Sequence, residues 1–150
     1  MKYKFPFYYQ TNSQNCGPAC LLMISMYYNR NCDISVIEEI CNTNHSGTSL
    51  ENLCKAAKYL GFDSLVAKID INHFTEELNF PCIALLKQQH YIVIYKVNRR
   101  FVYVAYPNLR LMKYERIKIL KKWIYGDNKG LLMFFELPPT LRALCPGPGK

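Results

Sequence analysis

Cys16 has the neighbours that a nucleophilic thiol needs. It is followed by Gly17-Pro18-Ala19-Cys20 and preceded by the polar run Thr11-Asn12-Ser13-Gln14-Asn15. An Asn ahead of an apolar stretch, with proline in its first turn, signals a helix start. At a helix N-terminus, unpaired N–H groups and the helix dipole favour a thiolate. Such a nucleophile also requires a base and donors for a developing oxyanion. Gln10, a short loop upstream, can offer its side-chain amide beside the Cys16 N–H. Gly17 has no side chain and lets a substrate backbone come close, which makes it a candidate substrate-binding position.

Three histidines are available as the base: His45 in a polar loop, His73 in a polar turn, and His90. His90 follows Lys87-Gln88-Gln89 and opens the apolar run Tyr91–Tyr95, so it sits at the edge of a rigid strand. Taken alone, a histidine there is more often half-buried structure than catalyst. Cys20 lies one turn inside the helix, where a buried structural thiol is the default. A CxxxC without a second matching pair is a weak metal signal, so no metal or other cofactor is expected.

The elements that must hold these residues are legible in outline. The chain has 150 residues, half of them apolar, enough for one domain with its own core. Extended alternation marks Tyr3–Tyr9. Helices are expected from Cys16 to Tyr28, ended by Asn29, Asn31 and Asp33, over Ile34–Cys41, and from Thr48-Ser49-Leu50 to a stop at Gly61. A strand is expected over Phe62–Ile69 and a short helix over Asn72–Leu78. Short apolar runs at Cys82–Leu86, Tyr91–Val97, Phe101–Tyr106 and Leu131–Leu137 read as strands, the middle pair as a hairpin around Asn98-Arg99-Arg100. Tyr114–Ile124 reads as a helix with Ile117, Leu120 and Ile124 inward and Lys118, Lys121 and Lys122 outward. Helices first and antiparallel strands second define an α+β fold. Residues 1–137 form the domain, and 138–150, with Pro146-Gly147-Pro148-Gly149, a linker or appended tail.

The formal net charge of +8 is uneven. Residues 1–86 carry 6 basic and 8 acidic side chains, and residues 87–150 carry 13 and 3. The basic half suits an acidic partner. Seven cysteines, mostly inside apolar patterns, together with the lack of a secretory opening, favour a reducing compartment.

The segment from Gln10 to Leu21 resembles the nucleophile segment of the C39 peptidases. These are papain-like domains at the cytosolic N-terminus of bacteriocin-exporting ABC transporters. Gln88-Gln89-His90-Tyr91-Ile92-Val93-Ile94-Tyr95 is similar to their histidine segment, and Phe101–Pro107 to the segment ending in Asp-Pro. The resemblance runs from Tyr3 to about Leu137. It implies a papain-like α+β fold, N-terminal helices packed on a C-terminal antiparallel sheet, and cleavage of a precursor after the Gly-Gly pair that ends its leader. Cys16 would be nucleophile, His90 base, and Gln10 the oxyanion donor. The implied partners are the leader peptide and the membrane and ATPase domains of an ABC transporter, at the inner face of the cell membrane.

One position departs from the pattern. Where the family has an Asp before the proline to orient the histidine, this chain has Tyr106. A neutral phenol cannot do that electrostatic work. Asn108, two residues on, can orient His90 through its amide oxygen, as Asn does in papain-like triads. Tyr106 and Asn108 are therefore the two candidates. Two other readings compete: a docking domain that binds the leader without cutting, and a basic nucleic-acid-binding domain stacking bases on Tyr91, Tyr95 and Tyr103. The near-continuous apolar strand Tyr91–Tyr95 argues for a buried sheet over a stacking surface.

Overall fold

The computed structural model describes residues 4–138 apart from 31 and 45. Tyr3, Asn31, His45, Cys145 and the tail beyond Pro138 lie outside the described residues. Helix α1 spans Cys16–Tyr27, α2 Ile34–Cys41 and α3 Leu50–Tyr59. Strand β1 spans Asp63–Asp70, β2 Cys82–Leu85, β3 Tyr91–Val97, β4 Phe101–Ala105 and β5 Leu111–Glu115. Helix α4 spans Arg116–Trp123, and strand β6 Lys129–Glu136. All six strands form one antiparallel sheet in the order β1-β6-β2-β3-β4-β5.

Period-two alternation gives the sheet two apolar faces. Tyr91 and Val93 of β3, Ile83 of β2, and Met133 and Phe135 of β6 pack with α1, α2 and α3. Their neighbours Ile92, Ile94, Cys82, Ala84 and Leu132 pack on the other side with Phe74, Ile119 and Trp123. Helix α1 lies between the sheet and α2–α3, and every residue from Cys16 to Ser25 is buried. A helix enclosed on all sides has no use for a polar stripe, and the sequence accordingly supplies none.

Local chemistry fixes the boundaries. Asp33 and Ser49 cap α2 and α3 with side-chain oxygens accepting from Ser35 N–H (3.2 Å) and Asn52 N–H (3.1 Å). Helix α3 ends in a Schellman pair. Gly61, at φ +92°, donates to Lys58 O (2.9 Å) and Phe62 donates to Ala57 O (3.0 Å). Phe5 of the lead-in is extended without strand pairing and stacks on Tyr95, ring centroids 4.6 Å apart.

Two expected elements are corrected. Asn72–Leu78 holds no helix beyond a 3-10 turn at Ile71–His73, because Asp70 caps that turn and the chain bends again at Thr75. The helix expected from Tyr114 starts at Arg116, and Leu111–Glu115 is instead an edge strand paired with β4. With that shift, the buried pair is Ile119 and Trp123 at i,i+4, and Ile117 is 62% exposed.

Trp123 leaves no room for a side chain at Gly130. It donates Nε1–H to Leu131 O (2.9 Å), and a Cβ on Gly130 would lie 2.1 Å from its Cε2. Gly130→Ala is expected to lower stability by about 2–3 kcal/mol, since the buried indole must leave its rotamer. Urea unfolding measures this, and an unchanged midpoint would contradict the packing described.

Candidate active site

The site forms where strand β3 outruns its neighbour. The last paired residues are Val93 and Ala105. Tyr91 and His90 therefore extend beyond the end of β4, and the Tyr91 N–H is free of the ladder. Together with the N–H groups of Gly17 and Cys16, it favours the charged form of the Cys16 sulfur. Past Ala105 the chain turns back, Tyr106 N–H donating to Arg110 O (3.0 Å) and Leu109 N–H to Tyr106 O (2.8 Å), and this turn carries Asn108 to His90.

A tight hairpin aims His90. The loop Lys87-Gln88-Gln89 is a type I turn closed by Gln89 N–H to Leu86 O (3.1 Å), with Gln89 in the left-handed region at φ +60°. Leu86 N–H then donates to His90 O (2.8 Å), which resumes the ladder with His90 as its first member. Its imidazole bonds the Asn108 side chain. That bond favours the charged ring, so the amide oxygen accepts an imidazole N–H. Nε2 is buried and has no partner among the described residues, which leaves Nδ1 as the nitrogen that Asn108 would hold. The resulting tautomer leaves a lone pair on Nε2, the form a general base requires.

Tyr106 makes a different contact. Its ring lies 5.0 Å from the imidazole at 30°. It faces the imidazole as a stacking partner, and the hydrogen bond comes from Asn108. Lys122 lies over the outer environment of this ring, 5.9 Å from the Tyr106 centroid and 5.5 Å from that of Tyr114.

Gln10 is pinned to the same corner. Its backbone N–H donates to Pro107 O (2.8 Å), and its side-chain Nε2 donates to Asn12 O (2.6 Å). The second Nε2 hydrogen remains for another acceptor. Gln10 Oε1 is buried without a partner among the described residues. Asn15 is 2% exposed and N-caps α1 without a side-chain cap bond. Its amide donates instead to Thr11 Oγ1 (3.3 Å) and to Glu38 Oε2.

Gly17 has a packing reason of its own. A Cβ there would meet Thr48 Cβ at 3.2 Å and Tyr91 Cδ2 at 3.4 Å. The missing side chain lets α1 close on β3 and the loop at Thr48. Tyr91 seals that contact, its hydroxyl donating to Thr48 O (2.8 Å). Tyr91 is 4% exposed, so it offers no platform for stacking bases. Cys20 is fully buried inside α1, and His73 is exposed beside Phe74, on the far side of the sheet. No group of three or more potential metal-ligating side chains occurs among the described residues.

The electrostatics correct one expectation. Burial pushes the Cys16 thiol above its ordinary value of 9.0, outweighing the three N–H donors that favour the thiolate. Burial also lowers His90 from 6.5, against the opposing bond to Asn108. At neutral pH the resting pair is therefore thiol and neutral imidazole, and the helix terminus alone does not ionise the sulfur. Protonation of His90 is complete only below 6.5, and loss of the Cys16 proton needs a pH above 9.0. Alkylation of Cys16 by iodoacetamide, read by mass spectrometry, should accelerate with a midpoint above 9.0. Fast alkylation independent of pH from about 5 to 8 would mean a preformed thiolate–imidazolium pair and contradict this assignment.

Comparisons with known proteins bear on the family and on this sheet. The profile of the Peptidase C39 family matches residues 4–132. The lactococcin-G-processing and transport ATP-binding protein LagD of Lactococcus lactis subsp. lactis is 30% identical over 131 residues. The match takes in 84% of this chain and 18% of LagD, so the chain spans less than a fifth of that relative's length. The peptidase domain of Streptococcus ComA, a bifunctional ABC transporter of a quorum-sensing pathway, superposes with a TM-score of 0.81 at 25% identity. That superposition covers 90% of this chain and 100% of that domain. A double glycine motif protease from an AMS/PCAT transporter, crystallised with its leader peptide, superposes with a TM-score of 0.82 at 21% identity. It covers 90% of this chain and 93% of that one. The chain belongs to the peptidase C39 family of cysteine peptidases.

Proposed function

We propose that this domain cuts a precursor peptide after a Gly-Gly pair ending its leader, coupled to export by an ABC transporter. One observation carries the residue assignment. The two buried side-chain polar atoms without partners among the described residues are Gln10 Oε1 and His90 Nε2. His90 Nε2 is the atom that a general base must keep open, whereas Gln10 Oε1 is an acceptor and takes no part in holding an oxyanion. Orphaned buried polar atoms cost about 1–3 kcal/mol each and concentrate where a ligand completes them.

Each residue has one task. Cys16 Sγ attacks the carbonyl carbon of the second glycine while His90 Nε2 takes the thiol proton. The carbonyl oxygen becomes an oxyanion that accepts from the Cys16 N–H and the remaining Nε2 hydrogen of Gln10. His90 returns the proton to the leaving amine, the C–N bond breaks, and a thioester remains. Water, deprotonated by His90, then releases the leader. Asn108 holds the Nδ1–H throughout, so Nε2 is the nitrogen that takes up and returns the proton. Tyr106 covers the ring and limits water. Because Asn108 is neutral, the imidazolium gains less support than a carboxylate would give it, and the buried thiol starts un-ionised. Both features predict a modest turnover.

The leader peptide and the membrane and ATPase parts of a transporter are the partners of this reading. The basic half of the chain suits a position at the anionic inner membrane face.

Cys16→Ala should lower cleavage of a Gly-Gly leader peptide by at least about a thousandfold, whereas Cys20→Ala keeps most of it. Mass spectrometry of the products decides, and normal cutting by Cys16→Ala would leave the reading without a nucleophile. A docking domain would bind the peptide and cut in neither case. Asn108→Ala should reduce kcat by about ten- to a hundredfold with little change in KM, whereas Tyr106→Phe keeps the ring contact and most of the rate. The reverse ranking would make the phenol hydroxyl the orienting group.

A further inference from the structure

Beside the N-terminus of α1 lies a cavity of about 610 Å³ lined by Asn12, Gln14, Asn15, Glu38, Thr43 and Asn44. Every lining side chain is polar, and Glu38 alone carries a charge. Its carboxylate is anchored, since Oε2 accepts from Asn15, the residue directly before Cys16. Asn15 is itself buried and tied to Thr11, so the anchor does not swing. No ion pair to Glu38 forms among the described residues. The site thus holds a fixed negative charge, bonded only to a neutral amide, in a cavity next to the nucleophile.

Asn15, which lines the cavity, directly precedes Cys16, so the cavity lies within the reach of a few residues of a peptide held at Cys16, an extended chain advancing about 3.3–3.6 Å per residue. Glycines at the point of attack have nothing to put into it. The first side chain able to enter belongs to a residue flanking the glycine pair. Lys and Arg present only donors. Glu38 supplies the counter-charge, and the amide oxygens and hydroxyl around it supply the remaining acceptors. An acidic side chain would meet Glu38 with like charge, and an apolar one would strand the polar walls.

We propose that this cavity is a specificity pocket for a cationic side chain, Lys or Arg, flanking the Gly-Gly pair, with Glu38 as its counter-ion. This rests on the peptidase reading. The test uses synthetic Gly-Gly peptides in which each of the three positions on either side of the pair carries Lys, Gln or Glu in turn. At one position the domain should prefer Lys over Glu by roughly tenfold or more in kcat/KM. That ratio should fall toward one in Glu38→Gln, which preserves the bond to Asn15, and reverse in Glu38→Lys. Glu39→Gln, an exposed neighbour outside the cavity, should keep the ratio. Added salt should shrink the Lys preference of the wild type. Cleavage with no Lys preference at any position, or with the same preference in Glu38→Gln, overturns the pocket alone. Failure to cut any peptide, the Gln series included, overturns the peptidase reading and the pocket with it.

Discussion

Everything at the site depends on how closely α1 approaches β3. A methyl group on Gly17 would lie 3.2 Å from Thr48 Cβ and 3.4 Å from Tyr91 Cδ2, close enough that these neighbours would have to give way by a few tenths of an ångström. That approach brings the Cys16 sulfur under the Tyr91 N–H, and Tyr91 is chain-adjacent to His90. A helix held one side chain farther out would keep the same fold and the same residues, yet the thiol would lose the Tyr91 N–H that favours its charged form. The contact is stiff because both partners are. Helix α1 is buried along most of its length, and β3 is a central strand packed on both faces.

The second constraint is the unequal length of two strands. Because β4 stops at Ala105, the end of β3 keeps a free N–H and the chain after Ala105 turns across it. Pro107 O receives the Gln10 N–H, and Asn108 reaches the imidazole. Three segments, at Gln10–Cys16, His90–Tyr91 and Pro107–Asn108, meet at one strand end. Among the buried side-chain nitrogen and oxygen atoms of the described residues, Gln10 Oε1 and His90 Nε2 lack a partner. Burial that positions these groups also keeps the thiol and the imidazole neutral. Organisation and ionisation therefore oppose each other here, and the proton must move during attack.

Tyr106 shows how one substitution redistributes a role. A carboxylate before Pro107 would face the imidazole with a charge. The phenol faces it with a ring, 5.0 Å away, and the hydrogen bond passes to Asn108. The turn explains why Asn108 can take it. Past the last β3–β4 pair, Val93 and Ala105, the chain turns back over Tyr106–Arg110, which leaves Asn108 by the imidazole while Tyr106 stacks against the ring.

Short-range rules determined much of this protein. Asp33 and Ser49 as caps, Gly61 as a left-handed stop, and the apolar run of Tyr91–Val97 fix α2, α3 and β3, because each depends on neighbours within a few residues. The same local chemistry made Cys16 and Gln10 candidates and left His90 one of three histidines, chosen by the family resemblance of its segment. It failed at Leu111–Glu115, whose Leu-Met-Lys-Tyr-Glu pattern becomes a strand only because β4 offers a free edge. It failed again at Ile117, since the inward face of α4 is set by where Trp123 can lie over Gly130. The ionisation of Cys16 was likewise beyond the sequence. A helix N-terminus lowers a thiol pKa by an amount local structure can foretell, but the opposing desolvation depends on everything packed around it. Residue types and spacing determined which groups could do chemistry. The tertiary structure decided which of them meet, in what protonation state, and beside what charge, because distance and burial are properties of the packed chain.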